Sequence, residues 1–418
     1  MQLIIHRGAH QVGGSCVEFN HENFTILLDI GLPLDSGFND DPESHLPQPF
    51  FDAVRQGTKK IDGVLLSHAH MDHYGLVAML PQDIPVYCGY ASAELMDMTS
   101  RLSLHHMQSV SPRFFKNREP FSIGPFSITP YLMDHSAFDS YSFHISAGGK
   151  SLFYTGDFRA HGRKAKTFDR LINNPPHVDV LLMEGTMVGS RSDEAACTEE
   201  KLEEQFARLI EETPGIVMVS ASSQNIDRLV TLFRAAIRSQ RFFIIDFYTA
   251  EIFERLGHYA NIPQPSWSKI RVCYPKRMEK WFVRLGLRDI LAKHRQNEIR
   301  WTRLKAIKDK VVLLVRPNFL DDIEKLSLEG ATLIYSLWPG YLERESSLQR
   351  LRNYFQEKGV RSESLHTGGH AGISDLKKMA EAMKPAAVIP IHSFHPEKFK
   401  DEFSNVKLVK DGEPFAIL

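Results

Sequence analysis

The sequence has no apolar run long enough to cross a membrane, and it has few cysteines. No stretch of the 418 residues approaches 18 consecutive apolar residues, and the first residues lack the apolar core and cleavage site of a secretion signal. The cysteines are far apart and form no C-x-x-C pair; they are Cys16, Cys88, Cys197 and Cys273. This spacing argues against a disulfide framework and a thiolate zinc site, so we expect a reducing, cytoplasmic environment without a membrane.

An excess of charge of one sign and a nucleotide-binding glycine loop are missing as well. The formal net charge is -1, so no global field draws the chain to nucleic acid, and any basic surface must be local. Gly8, Gly13 and Gly14 match neither G-x-G-x-x-G nor a P-loop, and we expect them to be turn residues. With 43% hydrophobic residues the chain can bury a large core, and its length indicates two or three domains.

One segment organises the chain: residues 67–73, Ser-His-Ala-His-Met-Asp-His, directly after the apolar run 64–66. The apolar run predicts a buried strand, so the histidines lie where the strand becomes a loop. His68 and His70 are two apart and can point to one side, while Asp72 and His73 follow on the turn into a helix. Three imidazoles and a carboxylate within six residues suit a borderline cation such as zinc better than they suit a solvated loop.

Other predicted strands also end in a residue that can bind a metal. These residues are Asp29, His135, Asp157, Glu184 and His392. They would converge if their strands lay in one sheet or in two packed sheets, and such layered folds keep their chemistry at strand ends. Asp29 is either a hydrogen-bond partner of a ligating histidine or an ordinary turn aspartate.

The pattern changes near residue 191, where strands and helices begin to alternate as in a second, parallel α/β domain of about 160 residues. Residues 269–310 hold fourteen Lys or Arg against four Asp or Glu, with Trp281 and Trp301 among them. Either a solvated helical face or a groove that follows phosphates explains this run. The segment 219–225 joins a strand to a helix, so its hydroxyls and amides either bind a phosphate or cap the helix. Before the change, a helix is predicted from about residue 92 to 107, with His105 and His106 as surface histidines.

The order of these motifs resembles that of the β-CASP nucleases with a metallo-β-lactamase fold, most closely the ribonuclease J type. The motifs are Asp29, H-x-H-x-D-H at 68–73, His135, Asp157 in Thr-Gly-Asp-Phe, Glu184, His370 in His-Thr-Gly-Gly-His, and His392 in Pro-Ile-His. The resemblance implies an α/β fold, an αββα sandwich of residues 1–190 and 356–418. A parallel α/β β-CASP domain, residues 191–355, would be inserted before the last two histidine motifs.

The resemblance further implies two Zn²⁺ ions per chain, with Mn²⁺ as the alternative. One ion would be held by His68, His70 and His135, the other by Asp72, His73 and His392, and Asp157 would bridge them. The implied catalytic residues are Asp72, Asp157, Glu184 and His370, with Asp29 and Glu184 supporting the ligands. The implied phosphate-binding residues are His366, His370, Ser220, Ser222, Ser223 and Asn225. His395 competes with His392 as a ligand, but it lies past the strand end.

The implied activity is hydrolysis of phosphodiester bonds in single-stranded RNA, as a 5'-3' exonuclease, an endonuclease or both. In this family a histidine in the last motif, here His392, favours RNA over DNA. The alternatives are a single-stranded DNA nuclease on the same site, a hydrolase for a small ester, thioester or lactone, and a non-catalytic RNA-binding protein. The inserted domain argues against a small-molecule hydrolase, and the complete ligand set argues against a non-catalytic protein.

The sequence departs from the ribonuclease J pattern at two places. It closes soon after Asp411-Gly412, so we expect the C-terminal domain of that type to be missing, and the resemblance implies no oligomeric state. The segment Ser-Leu-Trp-Pro-Gly at 336–340 replaces a Ser-Gln-Gly-Glu-Pro type loop near the RNA path of the family. This replacement leaves the mode of cleavage open.

Overall fold

The computed structural model describes residues 1–36, 40–102, 111–189 and 197–417. Contacts divide the chain into two compact units. Unit 1 comprises Met1–Ser100, Met107–Ala196 and Gly369–Leu418, and unit 2 comprises Arg101–His106 and Cys197–Gly368. The domain boundary predicted at 190 lies outside the described residues, as does the end of the helix predicted to contain His105 and His106.

Unit 1 contains two sheets, whose strands we number along the chain. The first sheet has seven strands: β1 (Gln2–Arg7), β2 (Cys16–His21), β3 (Phe24–Ile30), β4 (Gly63–Leu65), β5 (Val86–Cys88), β6 (Arg113–Phe114) and β19 (Pro414–Ala416). Their order across the sheet is β19-β1-β2-β3-β4-β5-β6. Pairing is antiparallel from β19 to β3 and parallel from β3 to β6.

The second sheet of unit 1 has six strands in the order β18-β11-β10-β9-β8-β7. They are β7 (Phe121–Ile123), β8 (Phe126–Met133), β9 (Ser140–Ala147), β10 (Lys150–Tyr154), β11 (Val180–Glu184) and β18 (Ala387–Ile391). Strands β7 to β10 are antiparallel, whereas β10, β11 and β18 are parallel. All five residues of both β11 and β18 are buried, which explains why their sequences are apolar runs without alternation.

The helices of unit 1 cover the outer faces of the two sheets. They are α1 (Phe50–Arg55), α2 (Met71–Tyr74), α3 (Tyr90–Leu102), α4 (Ala165–Asn173), α14 (Ile373–Met383) and α15 (Phe399–Glu402). One apolar cluster lies between the sheets, and it includes Phe19 and Leu28 from the first and Phe143 and Leu182 from the second. Two further clusters join each sheet to its own helices. Four layers result, and the predicted αββα sandwich is confirmed.

Unit 2 is built on one parallel sheet of six strands. They are β12 (Val217–Ser220), β13 (Phe242–Asp246), β14 (Ile270–Cys273), β15 (Val311–Leu314), β16 (Thr332–Tyr335) and β17 (Arg361–Ser364). Their order is β14-β13-β15-β12-β16-β17, and every pairing is parallel. The carboxyl ends of all six strands therefore lie along one edge of the sheet.

Helices connect these parallel strands. They are α5 (Glu199–Glu212), α6 (Ile226–Arg238), α7 (Phe247–Leu256), α8 (Lys276–Arg284), α9 (Arg288–Lys293), α10 (Trp301–Ala306), α11 (Leu320–Ile323), α12 (Gly340–Arg344) and α13 (Ser346–Glu357). Short 3₁₀ turns occur at Pro42–His45, Val77–Met79, Arg295–Asn297, Lys308–Lys310, Pro317–Phe319 and Pro396–Lys398. The Thr198 side chain accepts a hydrogen bond from the Lys201 amide, as expected for the N-cap of α5.

Unit 2 and the predicted inserted domain end at different residues. Unit 2 extends to Gly368, beyond the predicted end at 355, because β17 pairs with β16 along its whole length. Strand β17 has the polar sequence Arg-Ser-Glu-Ser and lies at the sheet edge, so it lacks the apolar alternation that identifies a strand. Within the described ranges, no helix combines the length and the apolar character needed to cross a bilayer.

Candidate metal centre

The predicted ligand residues of unit 1 lie together because strands of both sheets end at the same place. His68 follows β4, and Asp29 lies within β3, one residue before its end. From the second sheet, His135 follows β8, Asp157 follows β10, and His392 follows β18 directly. The structure thus brings together all seven predicted ligands; they are His68, His70, Asp72, His73, His135, Asp157 and His392.

His68, His70 and His135 form the first potential metal-binding group. His70 Nδ1 is 3.1 Å from His68 Nε2 and 3.2 Å from His135 Nε2. Zinc binds imidazole nitrogen at about 2.0–2.1 Å in tetrahedral geometry, which separates neighbouring ligand nitrogens by about 3.3 Å. Both of these nitrogen–nitrogen distances fit that requirement.

The outer nitrogens of three histidines are held by oxygen atoms, so their inner nitrogens face the cluster. Nδ1 of His68 is 3.0 Å from Ser67 Oγ, and Nδ1 of His135 is 2.5 Å from the Gly369 carbonyl oxygen. His73 Nδ1 is 2.7 Å from Asp29 Oδ2. An oxygen partner of this kind fixes the ring orientation and tautomer of a metal-binding histidine.

Asp72, His73 and His392 form the second potential group. Asp72 Oδ2 is 4.0 Å from His73 Nε2 and 3.7 Å from His392 Nε2. His392 itself adopts a left-handed backbone conformation with φ of 54°, which is strained for a residue with a side chain. This conformation at the end of β18 directs the ring toward the cluster.

Asp157 lies between the two groups. Its Oδ2 is 3.1 Å from His73 Nε2 and 3.9 Å from His68 Nε2, and its Oδ1 is 3.6 Å from His392 Nδ1. Among the described residues, Oδ1 is buried and has no hydrogen-bond partner. Because a buried carboxylate oxygen without a donor is costly, this atom fits the role of a metal ligand.

Burial and neighbouring charges give four of the five histidine ligands and Asp157 protonation states that suit cation binding; His73 is the exception, because its pKa is raised. Burial lowers the pKa values of His68, His70, His135 and His392, so these imidazoles are neutral at pH 7. Burial alone would raise the pKa of Asp157, but three histidines outweigh it and hold that pKa well below its usual range. Neutral imidazoles and an ionised carboxylate are the forms that bind metals.

Asp29 supports this cluster from outside. It contacts His73 and also accepts hydrogen bonds from the Ser67 amide at 2.7 Å, the Ser67 hydroxyl at 2.7 Å and the Tyr154 hydroxyl at 2.7 Å. Burial alone would lower the pKa of His73, but Asp157 and Asp29 raise it well above its usual range. Of the two roles considered for Asp29, the structure shows contact with a potential ligand.

Glu184 and His370 form a pair beside Asp157. Glu184 Oε1 accepts the Phe158 amide at 2.8 Å, and Oε2 lies 2.9 Å from His370 Nδ1. Burial alone would lower the pKa of His370, but Glu184 and Asp157 raise it to about 9. Its side chain is 24% exposed, so His370 is accessible to a ligand in the cluster while Glu184 fixes its ring.

Several residues that shape the site were not predicted from the sequence. The loop after β1 was expected to contain only turn glycines, yet the Gly13 amide is 3.2 Å from His392 Nε2 and Ser15 Oγ is 3.0 Å from His392 Nδ1. A Cβ on Gly31 would lie 1.7 Å from the carbonyl oxygen of Asp72, so only glycine fits there. A glycine-rich loop directly after a strand was the available signal.

His395, the alternative to His392, is not part of the cluster. It is exposed, and its Nδ1 lies 3.3 Å from Glu397.

The predicted phosphate-binding residues other than His370 belong to unit 2. Asn225 accepts a hydrogen bond from the Arg228 amide as the N-cap of α6, and Ser223 contacts Thr249 and Arg316. Ser220 is buried, while Ser222 is exposed and His366 is partly exposed.

The basic run of unit 2 is divided among short helices and includes several ion pairs. Arg295 pairs with Glu279 and Glu298, and Arg277 pairs with Asp321 at 2.6 Å. Trp301 donates a hydrogen bond to the Tyr274 carbonyl oxygen at 3.2 Å. These contacts favour a solvated helical surface over a groove that follows phosphates.

Comparison with known proteins agrees with this arrangement. Residues 34–219 match the model of the β-lactamase superfamily domain. A solved protein of unknown function from Enterococcus faecalis V583 has a TM-score of 0.80, with 21% identity and 99% of both chains covered. The fold and the site therefore define a protein of the metallo-β-lactamase fold.

Curated relatives narrow the class. Ribonuclease J of Helicobacter pylori (strain ATCC 700392 / 26695) is 23% identical over 98% of this chain and 60% of its own length. An RNase J-like protein of Methanocaldococcus jannaschii is 25% identical over 59% of this chain and 58% of its own length. Residues 34–219 thus resemble a β-lactamase superfamily domain, and the chain is similar to ribonuclease J over most of its length. It spans about 60% of the length of that relative.

Proposed function

We propose that this chain is a metal-dependent nuclease that hydrolyses phosphodiester bonds in single-stranded RNA, as a 5'-3' exonuclease, an endonuclease or both. The observation that carries the proposal is the convergence of seven potential ligands around the buried, unsatisfied Oδ1 of Asp157. The ribonuclease J relatives support RNA as the substrate class.

Two zinc ions would be held by the residues that the cluster contains. His68, His70 and His135 would hold one ion, Asp72, His73 and His392 the other, and Asp157 would bridge them. Bound divalent ions supply two effects to such a reaction: they lower the pKa of water, and they stabilise charge on the attacking and leaving oxygens of a phosphodiester.

The remaining residues orient the ligands and the substrate. Asp29 holds His73, and Glu184 holds His370 through Nδ1. The other ring nitrogen of His370, Nε2, can then donate a hydrogen bond to the scissile phosphate or a proton to its leaving oxygen. This role rests on the position and exposure of His370, and not on its titration.

We infer that unit 2 is the inserted β-CASP domain and that it binds the RNA backbone. Ser222 and His366 are the predicted phosphate-binding residues of unit 2 that remain accessible. Ser220, Ser223 and Asn225 would contribute mainly by shaping the loop, because Ser220 is buried and the other two side chains already have partners.

The test is the product pattern from 5'-labelled single-stranded RNA, compared between the native protein and His68→Ala, with a DNA oligomer of matched sequence alongside. We expect the native protein with zinc or manganese to degrade RNA and the variant to leave it intact. Mononucleotides would indicate exonuclease action, and discrete fragments would indicate internal cuts. Intact RNA with native protein would contradict the proposal, and faster loss of DNA would reassign the substrate.

A further inference from the structure

Two exposed aromatic rings follow strand β16 in unit 2. Trp338 is 47% exposed and Tyr341 is 41% exposed, although large apolar side chains normally avoid water. Their ring centroids are 5.4 Å apart and their planes are perpendicular. The guanidinium of Arg344 lies 5.5 Å from the centre of the Trp338 ring. We call these three side chains the aromatic platform.

The platform is held in place by its own short segment. The Tyr341 amide donates to the Trp338 carbonyl oxygen at 3.1 Å, and the Leu342 amide donates to that of Pro339 at 3.0 Å. The Trp338 ring packs against Gly340, since a Cβ built there would lie 2.2 Å from the ring. Rings that are already ordered lose little conformational entropy when a ligand binds.

The position of the platform indicates what it binds. Strand β16 ends at Tyr335, which pairs with Ser364 of β17, and His366 follows two residues later. The platform and His366 thus leave the same edge of the sheet from neighbouring strands. Ligands of open parallel sheets bind at this carboxyl edge.

The chemistry of the platform fits an unpaired nucleobase. Every base has a π face that stacks on an aromatic ring, and perpendicular rings offer one base both a stacking and an edge contact. Within the described part of unit 2, Arg344 has no carboxylate at ion-pair distance, so its charge is available to the backbone of a nucleic acid. A purely apolar protein partner would make no use of this cation.

We propose that Trp338 and Tyr341, assisted by Arg344, stack an unpaired base of single-stranded RNA on the edge that carries His366. This inference rests on the proposed function for its ligand, and it names the substrate feature that unit 2 recognises. Recognition is of the base plane and not of its hydrogen-bonding edge, so the platform binds unpaired RNA with little sequence preference.

The chain provides a matched control on the opposite edge of the same sheet. Trp267 precedes β14 and is 36% exposed. It packs on Phe233 with ring centroids 5.4 Å apart and lines a cavity of about 640 Å³. The arginines at this cavity, Arg234 and Arg238, both lie near Glu203. Removal of Trp267 therefore tests the loss of an exposed tryptophan away from the carboxyl edge.

The experiment measures the affinity of the metal-loaded protein for a labelled single-stranded oligoadenosine with hydrolysis-resistant phosphorothioate linkages, by fluorescence anisotropy. Loss of one aromatic–base stack weakens binding by about 5- to 100-fold. We expect that loss for Trp338→Ala, a smaller loss for Trp338→Phe, which keeps an aromatic face, and no change for Trp267→Ala. Replacing one or more bases of the oligomer by abasic sites should weaken native binding while reducing its dependence on Trp338.

Unchanged affinity for Trp338→Ala, or an equal loss for Trp267→Ala, would overturn the inference. If Trp338→Ala fails to fold, Tyr341→Ala and the abasic oligomer replace it. Unchanged affinity in both of these measurements would overturn the inference. Native protein that binds RNA through Trp338 without cleaving it would contradict the nuclease proposal and leave the stacking inference standing. Native protein that cleaves RNA with no dependence on Trp338 would support the nuclease proposal and contradict the stacking inference.

Discussion

Both units place polar side chains at the carboxyl ends of strands, yet the two sets differ in how they are satisfied. In unit 1, Asp157 is buried with one oxygen lacking any partner among the described residues, and histidine nitrogens face it. In unit 2, Asp246 is equally buried, but it accepts hydrogen bonds from the Thr249 amide at 2.7 Å and from Arg316 at 2.8 Å. Unmet hydrogen-bonding capacity separates a site for a cation from a structural network.

The comparison is tested by replacing each of these two aspartates with asparagine, and the largest effect is expected at Asp157. Asp157→Asn removes the carboxylate between both potential metal groups, so we expect bound zinc to fall and RNA hydrolysis to drop by about a thousand-fold, equivalent to about 4 kcal/mol. Metal analysis and initial rates check this, and circular dichroism checks that the fold is retained.

The matched variant Asp246→Asn should have the reverse profile. It weakens charged hydrogen bonds within unit 2 and should lower the free energy of unfolding by about 1.5–3 kcal/mol without changing the zinc content. All four tryptophans lie in unit 2, so their fluorescence in a urea titration reports the unfolding of this unit. Loss of zinc in Asp246→Asn would contradict the assignment of Asp157 to a cation site and of Asp246 to a structural network.

An effect of comparable size, on stability and not on hydrolysis, is expected at Arg228, which is fully buried in unit 2. Its guanidinium bonds Glu199 at 3.0 Å and also reaches Ser336 and the Thr367 carbonyl oxygen. Arg228→Met would leave Glu199 buried without its cation, and we expect a loss of about 3–5 kcal/mol in the free energy of unfolding. Arg234→Met is the control: Arg234 is 58% exposed and lies 3.8 Å from Glu203, so its loss should cost less than about 1 kcal/mol. Equal tryptophan-detected midpoints for the two variants would contradict the role of Arg228.

Asp29 tests whether a carboxylate whose oxygens already accept hydrogen bonds still contributes to metal binding. Because Asp29 orients His73 without facing the cluster directly, Asp29→Asn should weaken zinc binding by about 10- to 100-fold, less than the loss at Asp157. Competition with a zinc chelator of known affinity measures this change. A variant with native zinc affinity would show that Asp29 acts only as a turn residue.

The smallest effect is expected at two carboxyl groups with lowered pKa values, one in each unit. Burial alone would raise the pKa of Glu18 in unit 1, but hydrogen bonds from His6, Lys59 and Asn20 outweigh it and lower the pKa to about 2. In unit 2, His294, Arg255 and Lys293 likewise overcome burial and lower the pKa of Glu251. A depressed carboxyl pKa contributes stability above the unfolded value near 4.5, and this contribution is lost as the pH falls below it.

We therefore expect Glu18→Gln and Glu251→Gln each to cost about 1–2 kcal/mol at pH 7 and progressively less between pH 4.5 and pH 2. Urea titrations at several pH values, followed by circular dichroism for Glu18 and by tryptophan fluorescence for Glu251, check this. A cost that is constant over that range would contradict the proposed pairing.

The sequence was most informative where residues are apolar or can bind metals. The runs at β4, β11 and β18 predicted buried strands, and the residues that follow them predicted the cluster, because a strand end fixes where the next side chains lie. Strand β17 was missed because its polar sequence lacks the apolar alternation that identifies a strand. Strand β14 was missed because four residues within a basic run give too short a pattern.

Contacts that depend on tertiary structure could not be predicted. The hydroxyl of Tyr154 bonds Asp29 from a strand 125 positions away, and no local pattern marks that pair. In segment 219–225 a local pattern was present but ambiguous, because helix capping and phosphate binding require the same residue types. Only the structure shows that Asn225 caps α6.

Anomalous diffraction at the zinc edge, on crystals of the native protein grown with zinc, tests the central claim most directly. We predict two peaks, one bound by His68, His70 and His135 and one by Asp72, His73 and His392, with Asp157 in contact with both. No peak in this cluster, or zinc bound only at another group such as Glu251, Glu254 and His294, would contradict the account.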